Sequence, residues 1–315
     1  MRELRIVFMG TPDFAVGILD TIVKANHTIV GVVTAPDKPS GRGRKLNESA
    51  VKKYAMANGL PILQPTNLKS EAFLKDLKDL NANLQVVVAF RMLPKAVWQM
   101  PKLGTFNLHA SLLPDYRGAA PINWAIINGE TKTGVTTFLI DEKIDTGAII
   151  LQKETEIHAD EDAGSLHDRL MVLGANAVLE TLDRIANGNL GSKVQENTGD
   201  LKVAHKIHRD TCKIDWNLPM DDIYNMIRGL SPYPAAWSTL TDEGEPLDIK
   251  IYKVSKEKKA HDFKIGTLIV DKKELKVAVK NGFLNLLEIQ LQGKRKMNVV
   301  DLLNGLNLSQ NAKIG

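Results

Sequence analysis

The sequence predicts an α/β fold: a mostly parallel sheet flanked by helices, followed by a smaller antiparallel β-domain. Three observations carry this. Short β-branched runs alternate with helix-period stretches through the first 186 residues, the rhythm of βαβ units whose strands are covered on both faces. Past residue 205 the texture changes to closely spaced apolar segments punctuated by Gly, Asp and Asn. And 315 residues exceed what one small core absorbs, so the length favours two domains.

Taken in order, LRIVFMG reads as the first strand, and Phe14 to Ala25 has apolar residues at helical spacing. TIVGVVT is a second strand, SAVKKYAMANG a helix closed by Gly59, and LPILQP a short strand. Glu71 to Leu80 is amphipathic; QVVVAF is a continuous β-branched run typical of a central parallel strand; Pro94 to Met100 is a short helix candidate, and GTFNLHA the next strand. Pro114, Gly118 and Pro121 are expected to stop regular structure in LLPDYRGAAPINWAIINGE. Gly134 to Ile140 and Ala148 to Glu156 read as strands around the turn DEKIDTG, and Ser165 to Ala186 as a long helix ending at Asn187-Gly188. The polar, aperiodic stretch after it is expected to be a linker. MDDIYNMIRGL is helical, and the segments beyond it have the strand-turn rhythm of a small barrel of the OB type. The expected domains are thus a Rossmann-like 1–188, a linker 189–205 and an OB-like 206–315.

Composition narrows the class. With 43% hydrophobic and 25% charged residues the chain has enough apolar surface to fold, and disorder is excluded. The single cysteine, Cys212, forms no internal disulfide, and MRELRIVFMG places charges where a signal peptide needs an apolar core; a reducing, cytoplasmic location is expected. No apolar run approaches the roughly 20 residues that span a bilayer, so no membrane partner is expected, and the chain is taken as a monomer. Of 41 Lys and Arg and 37 Asp and Glu, 18 and 14 fall from Lys206 onward, and the remaining 23 and 23 balance. The whole surplus lies in the C-terminal third, which is too small an excess to establish nucleic-acid binding by itself.

Chemistry concentrates in TFNLHASLLP. Asn107 and His109, two apart on a strand, share a face, and the strand must end at Ser111-Leu112-Leu113-Pro114. They therefore sit at the carboxyl edge of the sheet, where open α/β folds build their sites. Taken alone the pair also suits a structural histidine and a turn-forming asparagine. Tyr116 and Arg117 follow in a loop suited to a ligand wall. DEKIDTG supplies Asp141, Glu142 and Asp145, any of which suits a turn; Asp145 is the one to pair with His109, since a carboxylate orients an imidazole and favours its charged form, while an amide donates to a developing oxyanion. Such a set suggests direct acyl transfer between two bound substrates rather than a covalent enzyme intermediate. The remaining histidines lack ligand spacing, so no metal is expected. MGTPDF lacks GxGxxG, which disfavours a dinucleotide. In PDKPSGRGRKL, Lys38, Arg42, Arg44 and Lys45 stand among Gly, Pro and Ser; this is an ordinary solvated loop or a segment that orders on RNA phosphates.

These motifs resemble the folate-dependent formyltransferases. The match runs through MGTPDFAV, VVTAPDKPSGRGRKL, LPILQP, LPKAVWQMPKLGTFNLHASLLPDYRGAAPINWAIINGE, TGVTTFLIDEKIDTG, KIDW and IRGLSPYPAAW, nearly the full length. The basic insertion and the C-terminal signatures resemble the branch whose acceptor is a tRNA. The resemblance implies a formyltransferase-type α/β domain, with Asn107, His109 and Asp145 as the catalytic set and formyl passing from 10-formyltetrahydrofolate to the α-amino group of methionyl initiator tRNA. Ser111, Leu112, Leu113 and Pro114, with Val88, Ala89 and Phe90, are implied for the folate. Lys38, Arg42, Arg44 and Lys45 are implied for tRNA, and Gly10, Thr11 and Phe14 for the methionine side. AFRMLP departs from the commoner pattern, being one residue shorter and carrying Arg91 in place of a glycine after the aromatic residue. Same-edge rivals are a formyltransferase acting on a sugar nucleotide and a 10-formyltetrahydrofolate hydrolase; a tRNA-binding homologue without catalysis is a third.

Overall fold

A computed structural model describes residues 2–40, 45–196, 199–271, 273–305, 308–309 and 312–315. Its elements run β1 (Arg5–Gly10), α1 (Asp13–Lys24), β2 (Thr28–Val33), β3 (Lys38–Ser40), β4 (Lys45–Asn47), α2 (Ala50–Ala57), β5 (Ile62–Leu63), α3 (Glu71–Asp79), β6 (Leu84–Val88), α4 (Lys95–Trp98), β7 (Thr105–His109), β8 (Arg117–Gly118), α5 (Pro121–Ile127), β9 (Lys132–Leu139), β10 (Ile149–Glu156) and α6 (Ala163–Ala186). After these come β11 (Val203–Ala204), α7 (Met220–Leu230), β12 (Ala236–Thr241), β13 (Leu247–Lys258), β14 (Leu268–Val270), β15 (Leu275–Val279), β16 (Gly282–Leu291), β17 (Met297–Asn298), α8 (Val299–Leu303) and β18 (Lys313–Ile314). The chain divides into two compact units. The first comprises Met1–Gly118, Thr133–Glu156 and His167–Val203, and the second Ala119–Lys132, Ile157–Leu166 and Ala204–Gly315.

In the first unit seven strands lie in the order β10-β9-β7-β6-β1-β2-β5. β1 runs parallel to β2 and β6, β2 to β5, and β6 to β7, while β9 is antiparallel to β7. The chain works outward from β1 to β5 and then returns to β6 on β1's other side. That reversal opens a crevice beyond the carboxyl ends of β1 and β6, where folds of this class bind ligands. β6 is buried throughout and β1 beyond Arg5, as their apolar runs require, and Val7, Met9, Val33 and Val87 meet Phe73, Leu77 and Val97 in one core layer. The helices begin where capping chemistry places them: Ser49 accepts from the Lys52 amide at 3.0 Å to open α2, and Ser70 from the Phe73 amide to open α3. α6 passes close to β7 because Gly174 has no side chain; a Cβ there would meet Leu108 Cδ2 at 2.8 Å.

In the second unit β14-β15-β16-β13-β12-β18 follow one another, with β17 beside β16. β14 with β15, β15 with β16, β16 with β13 and β17, and β12 with β13 and β18 pair antiparallel, as the hairpin texture predicts. A bridge between Thr267 and Lys313, with the Ile314 amide donating to Gly266 O at 3.0 Å, brings the two ends of this sheet together, so it is a nearly closed barrel. α7 buries Ile223, Tyr224, Ile227 and Leu230. α5 lies against α7, with the Asn123 amide donating to Gly229 O at 2.7 Å and Gly229 leaving room for Ile127.

Both expected layers are present, with one correction: Pro121 does not stop regular structure but opens α5. At the first helical position its missing N–H is no loss and its fixed φ suits the helix. The basic stretch 36–46 is also less loop-like than its Gly, Pro and Ser content suggests, for Lys38 to Ser40 pairs antiparallel with Lys45 to Asn47.

Candidate active site

The register of β6, β7 and β9 fixes the site. Asn107 pairs across with Val87 and Phe138, and His109 with Thr136, so the two polar side chains point from one face of β7 at its carboxyl end. Asn107 is half-buried, and its carboxamide makes no hydrogen bond among the described residues.

His109 is the opposite case, 7% exposed and held on both sides. Its Nε2 lies 2.8 Å from the Tyr116 carbonyl oxygen. A carbonyl only accepts, so Nε2 carries a hydrogen and Nδ1 is the nitrogen whose protonation changes. Nδ1 lies 3.8 Å from Asp145 Oδ2, beyond a neutral hydrogen bond and within ion-pair reach. A charge on the ring is therefore met by a carboxylate that does not lock it. That oxygen is itself fixed, accepting from the Gly118 amide at 3.0 Å. Of the acids in the 141–147 turn, Asp141 accepts from the Lys143 amide and from Thr146 Oγ1, so it builds the turn. Glu142 reaches Lys95 at 2.6 Å, and that ammonium holds its carboxyl below the usual carboxylate range. Only Asp145 faces the imidazole.

Tyr116 and Asp145 both have left-handed backbones, φ 60° and 55°. Non-glycine residues held there cost of order 1–3 kcal/mol each and cluster at functional sites.

The loop after His109 is pinned by the sheet. Thr136 Oγ1 donates to Ser111 O at 2.7 Å and receives the Leu113 amide, Gln152 donates to Leu113 O at 2.8 Å, and Ser111 Oγ donates to Asp115 O. Ser111 and Leu113 are buried, while Leu112 and Pro114 reach the surface in part. At the same edge β6 ends in buried Val88, Ala89 is exposed with φ 46°, and Phe90 is half-buried beneath the Arg91 guanidinium. Arg91 does not reach into this edge; its guanidinium donates to the carbonyls of Pro65 and Thr66. Gly10 ends β1 opposite Val88, and a Cβ there would meet Ala15 Cβ at 2.6 Å. Thr11 follows it, half-buried, but Phe14 is buried in α1 with its ring edge-on to His167 at 5.2 Å. Gly10 and Thr11 are thus at the crevice and Phe14 behind it.

Residues 4–182 match the family model "Formyl transferase", and residues 206–307 match "Formyl transferase, C-terminal domain". The methionyl-tRNA formyltransferase of Flavobacterium johnsoniae is 63% identical over 314 residues, covering 100% of both chains. That of Bacteroides thetaiotaomicron is 52% identical over 318 residues, covering 99% of each. The chain belongs to the methionyl-tRNA formyltransferase family. Among solved structures, WlaRD, a sugar 3N-formyl transferase, superposes with TM-score 0.65 at 21% identity, over 94% of this chain and 100% of that one. HypX from Aquifex aeolicus gives TM-score 0.66 at 14% identity, and this chain spans 49% of its length. At these identities the likeness is one of fold.

Of this formyltransferase's four expected tRNA residues, Lys38 is exposed on β3, Lys45 opens β4, and Arg42 and Arg44 lie outside the described residues. Among the described residues no group of three His, Cys, Asp or Glu is arranged to hold a metal, and no helix is long and apolar enough to cross a membrane. Two elements of the site escaped the sequence reading. The Tyr116 carbonyl is a backbone group with no side-chain signature. Gln195, whose side chain hydrogen-bonds Arg117 and the carbonyls of Asp145 and Gly147, stands in an aperiodic stretch, and only these long-range partners distinguish it.

Proposed function

We propose that this enzyme carries a formyl group from 10-formyltetrahydrofolate to the α-amino group of methionyl initiator tRNA, giving N-formylmethionyl-tRNA for translation initiation in the cytoplasm. The observation that carries the reading is the pairing of one unpartnered carboxamide, Asn107, with one clamped imidazole, His109, at the carboxyl edge of β7. The donor set fits a formyl donor built on a flat heterocycle: a carboxamide and an imidazole end β7 at the sheet edge where the neighbouring β6 runs out into the half-buried Phe90.

The bound folate supplies an activated formyl carbon. Everything else falls to the protein. About 7.7 is the ordinary pKa of an α-amino group, so a useful fraction of the acceptor is neutral at physiological pH and needs no strong base. Asn107 donates its amide hydrogen to the oxygen that becomes negative as the amine adds. His109, protonated on Nδ1, supplies a second positive group there, and Asp145 stabilises that charge. The amine gives up one proton as the new C–N bond forms, and the donor nitrogen takes one up as the old C–N bond breaks; His109 and Asp145 are placed to pass it. No covalent enzyme intermediate is needed, and alignment supplies much of the rate. The basic residues Lys38, Arg42, Arg44 and Lys45, with cations of the C-terminal barrel, meet tRNA phosphates in this reading.

The test is transfer of radiolabelled formyl from 10-formyltetrahydrofolate with charged initiator tRNA, uncharged tRNA, an amino-sugar nucleotide or no acceptor. Label stable on the methionyl group is the expected outcome. Folate turnover without acceptor would establish the hydrolase instead, and label on the sugar alone would move the acceptor.

A further inference from the structure

The stretch 189–204, polar and aperiodic in sequence, is anchored along the catalytic loops. The Lys193 and Ile149 backbones exchange hydrogen bonds of 2.8 and 2.7 Å, the Tyr116 amide donates to Lys202 O at 2.6 Å, and the Lys202 amide donates to Asp115 Oδ1 at 3.0 Å. Between these anchors lies Gln195, 8% exposed. Its Nε2 donates to two carbonyls of the acidic turn, Asp145 O at 2.9 Å and Gly147 O at 2.8 Å. Its Oε1 accepts from Arg117 Nε at 3.1 Å and Nη2 at 2.6 Å.

One side chain thus joins the two segments that hold the catalytic imidazole. Arg117 follows Tyr116, whose carbonyl takes the Nε2 hydrogen; Asp145 faces Nδ1. Both Tyr116 and Asp145 have left-handed backbones, so each segment gains from an external tie. A glutamine suits the post because it donates at one end and accepts at the other, matching two carbonyls and a guanidinium.

We infer that Gln195 is a positioning residue for formyl transfer: it sets the separation of Asp145 from His109 by tying the 145–147 turn to the 116–118 segment. This rests on the proposed function. Gln195→Met keeps volume and burial but loses all four hydrogen bonds, and Gln195→Glu keeps the acceptor while setting an oxygen against the two carbonyls. In the full-length enzyme both are expected to lower kcat about 30- to 100-fold, the scale on which a displacement near 1 Å is felt, with KM for folate and for methionyl-tRNA within about threefold. Placing Gln195→Met on an Asp145→Ala background should lower kcat no further, because the residue acts through Asp145. Backbone amides of 141–147 should exchange with deuterium at least about tenfold faster in Gln195→Met than in the parent, a reading that needs no acceptor.

A kcat within threefold of the parent, a loss confined to KM, full additivity with Asp145→Ala, or unchanged exchange in 141–147 would each overturn the inference. Should the parent enzyme fail to formylate methionyl-tRNA while the exchange difference persists, the acceptor assignment falls and the tie stands.

Discussion

Asn107 and His109 stand two residues apart on one strand, yet they are built for different work. Among the described residues the carboxamide of Asn107 makes no hydrogen bond, so Asn107→Ala should leave folding intact and remove one proposed oxyanion donor, lowering kcat by about 10² to 10³. His109 is buried with one nitrogen committed to a carbonyl, so His109→Ala removes the proposed second oxyanion donor together with the hydrogen bond to Tyr116 O. A kcat loss of at least about 10³ is expected, with the melting temperature lowered by a few degrees. Steady-state kinetics beside thermal melts checks both; near-normal turnover in either folded variant removes that residue from the chemistry. The two-residue spacing made the pair legible in sequence, since a buried strand places two polar groups on one face only for a reason. The direction of the imidazole was not legible. It depends on the Tyr116 carbonyl, a backbone group that leaves no local pattern, as well as on Asp145, 36 positions away, which the acidic turn had already pointed to.

At the scale of elements, the 141–147 turn shows how tightly the acid is delivered. A Cβ on Gly147 would run into the Leu139 carbonyl oxygen, so Gly147→Ala must push the turn off β9 and move Asp145 with it. It should destabilise by about 1–3 kcal/mol and cost more than tenfold in kcat, read by denaturant unfolding and by turnover. In the second unit, Tyr224 of α7 donates to Asp160 Oδ1 at 2.7 Å, and burial with that carboxylate pushes its phenol up to about 12. Its ordinary pKa is near 10, so the neutral form is favoured on folding. The contribution is fully present below about pH 10 and is lost as pH rises through the folded value near 12. Tyr224→Phe should cost about 1 kcal/mol at neutral pH and remove that alkaline component from the stability curve; an unchanged curve at pH 9 to 12 refutes it. The elements themselves were largely readable, because β-branched runs and apolar periodicity are local signals. Pro121 misled for the same reason: proline interrupts a helix within it and favours one at its first turn, and the residue alone does not distinguish the two. The described residues of 189–204 show no periodicity because their partners are backbone groups and single side chains of distant loops, so from sequence alone the stretch reads as a linker.

At the scale of the whole molecule, the charge pattern bears on how a large polyanion is engaged. The surplus of four positive charges from Lys206 onward is modest, and several of these cations are already neutralised in the barrel: Lys256 by Asp221, Lys276 by Glu257 and Lys296 by Glu288. Around Trp237, Arg209 and Lys213 lie over the ring at 4.7 and 5.6 Å, though Arg209 is also paired with Asp248. The N-terminal basic stretch differs, since Lys38 is exposed and the exposed Leu46 pairs in the same short ladder, with Arg42 and Arg44 between the two strands in sequence. If phosphates of the acceptor are met by that stretch, kcat/KM for methionyl-tRNA falls linearly with salt on logarithmic axes, and each lost phosphate contact lowers the slope by about 0.7 to 0.9. Arg42→Ala should therefore reduce the slope by about one such step and raise KM for tRNA severalfold. It should leave KM for 10-formyltetrahydrofolate and the folate-saturated kcat within twofold, because the proposed catalytic set lies on β7 and the 141–147 turn. A flat salt dependence in the parent enzyme, or an unchanged slope in the variant, would move tRNA recognition away from this stretch and onto the unneutralised cations of the barrel.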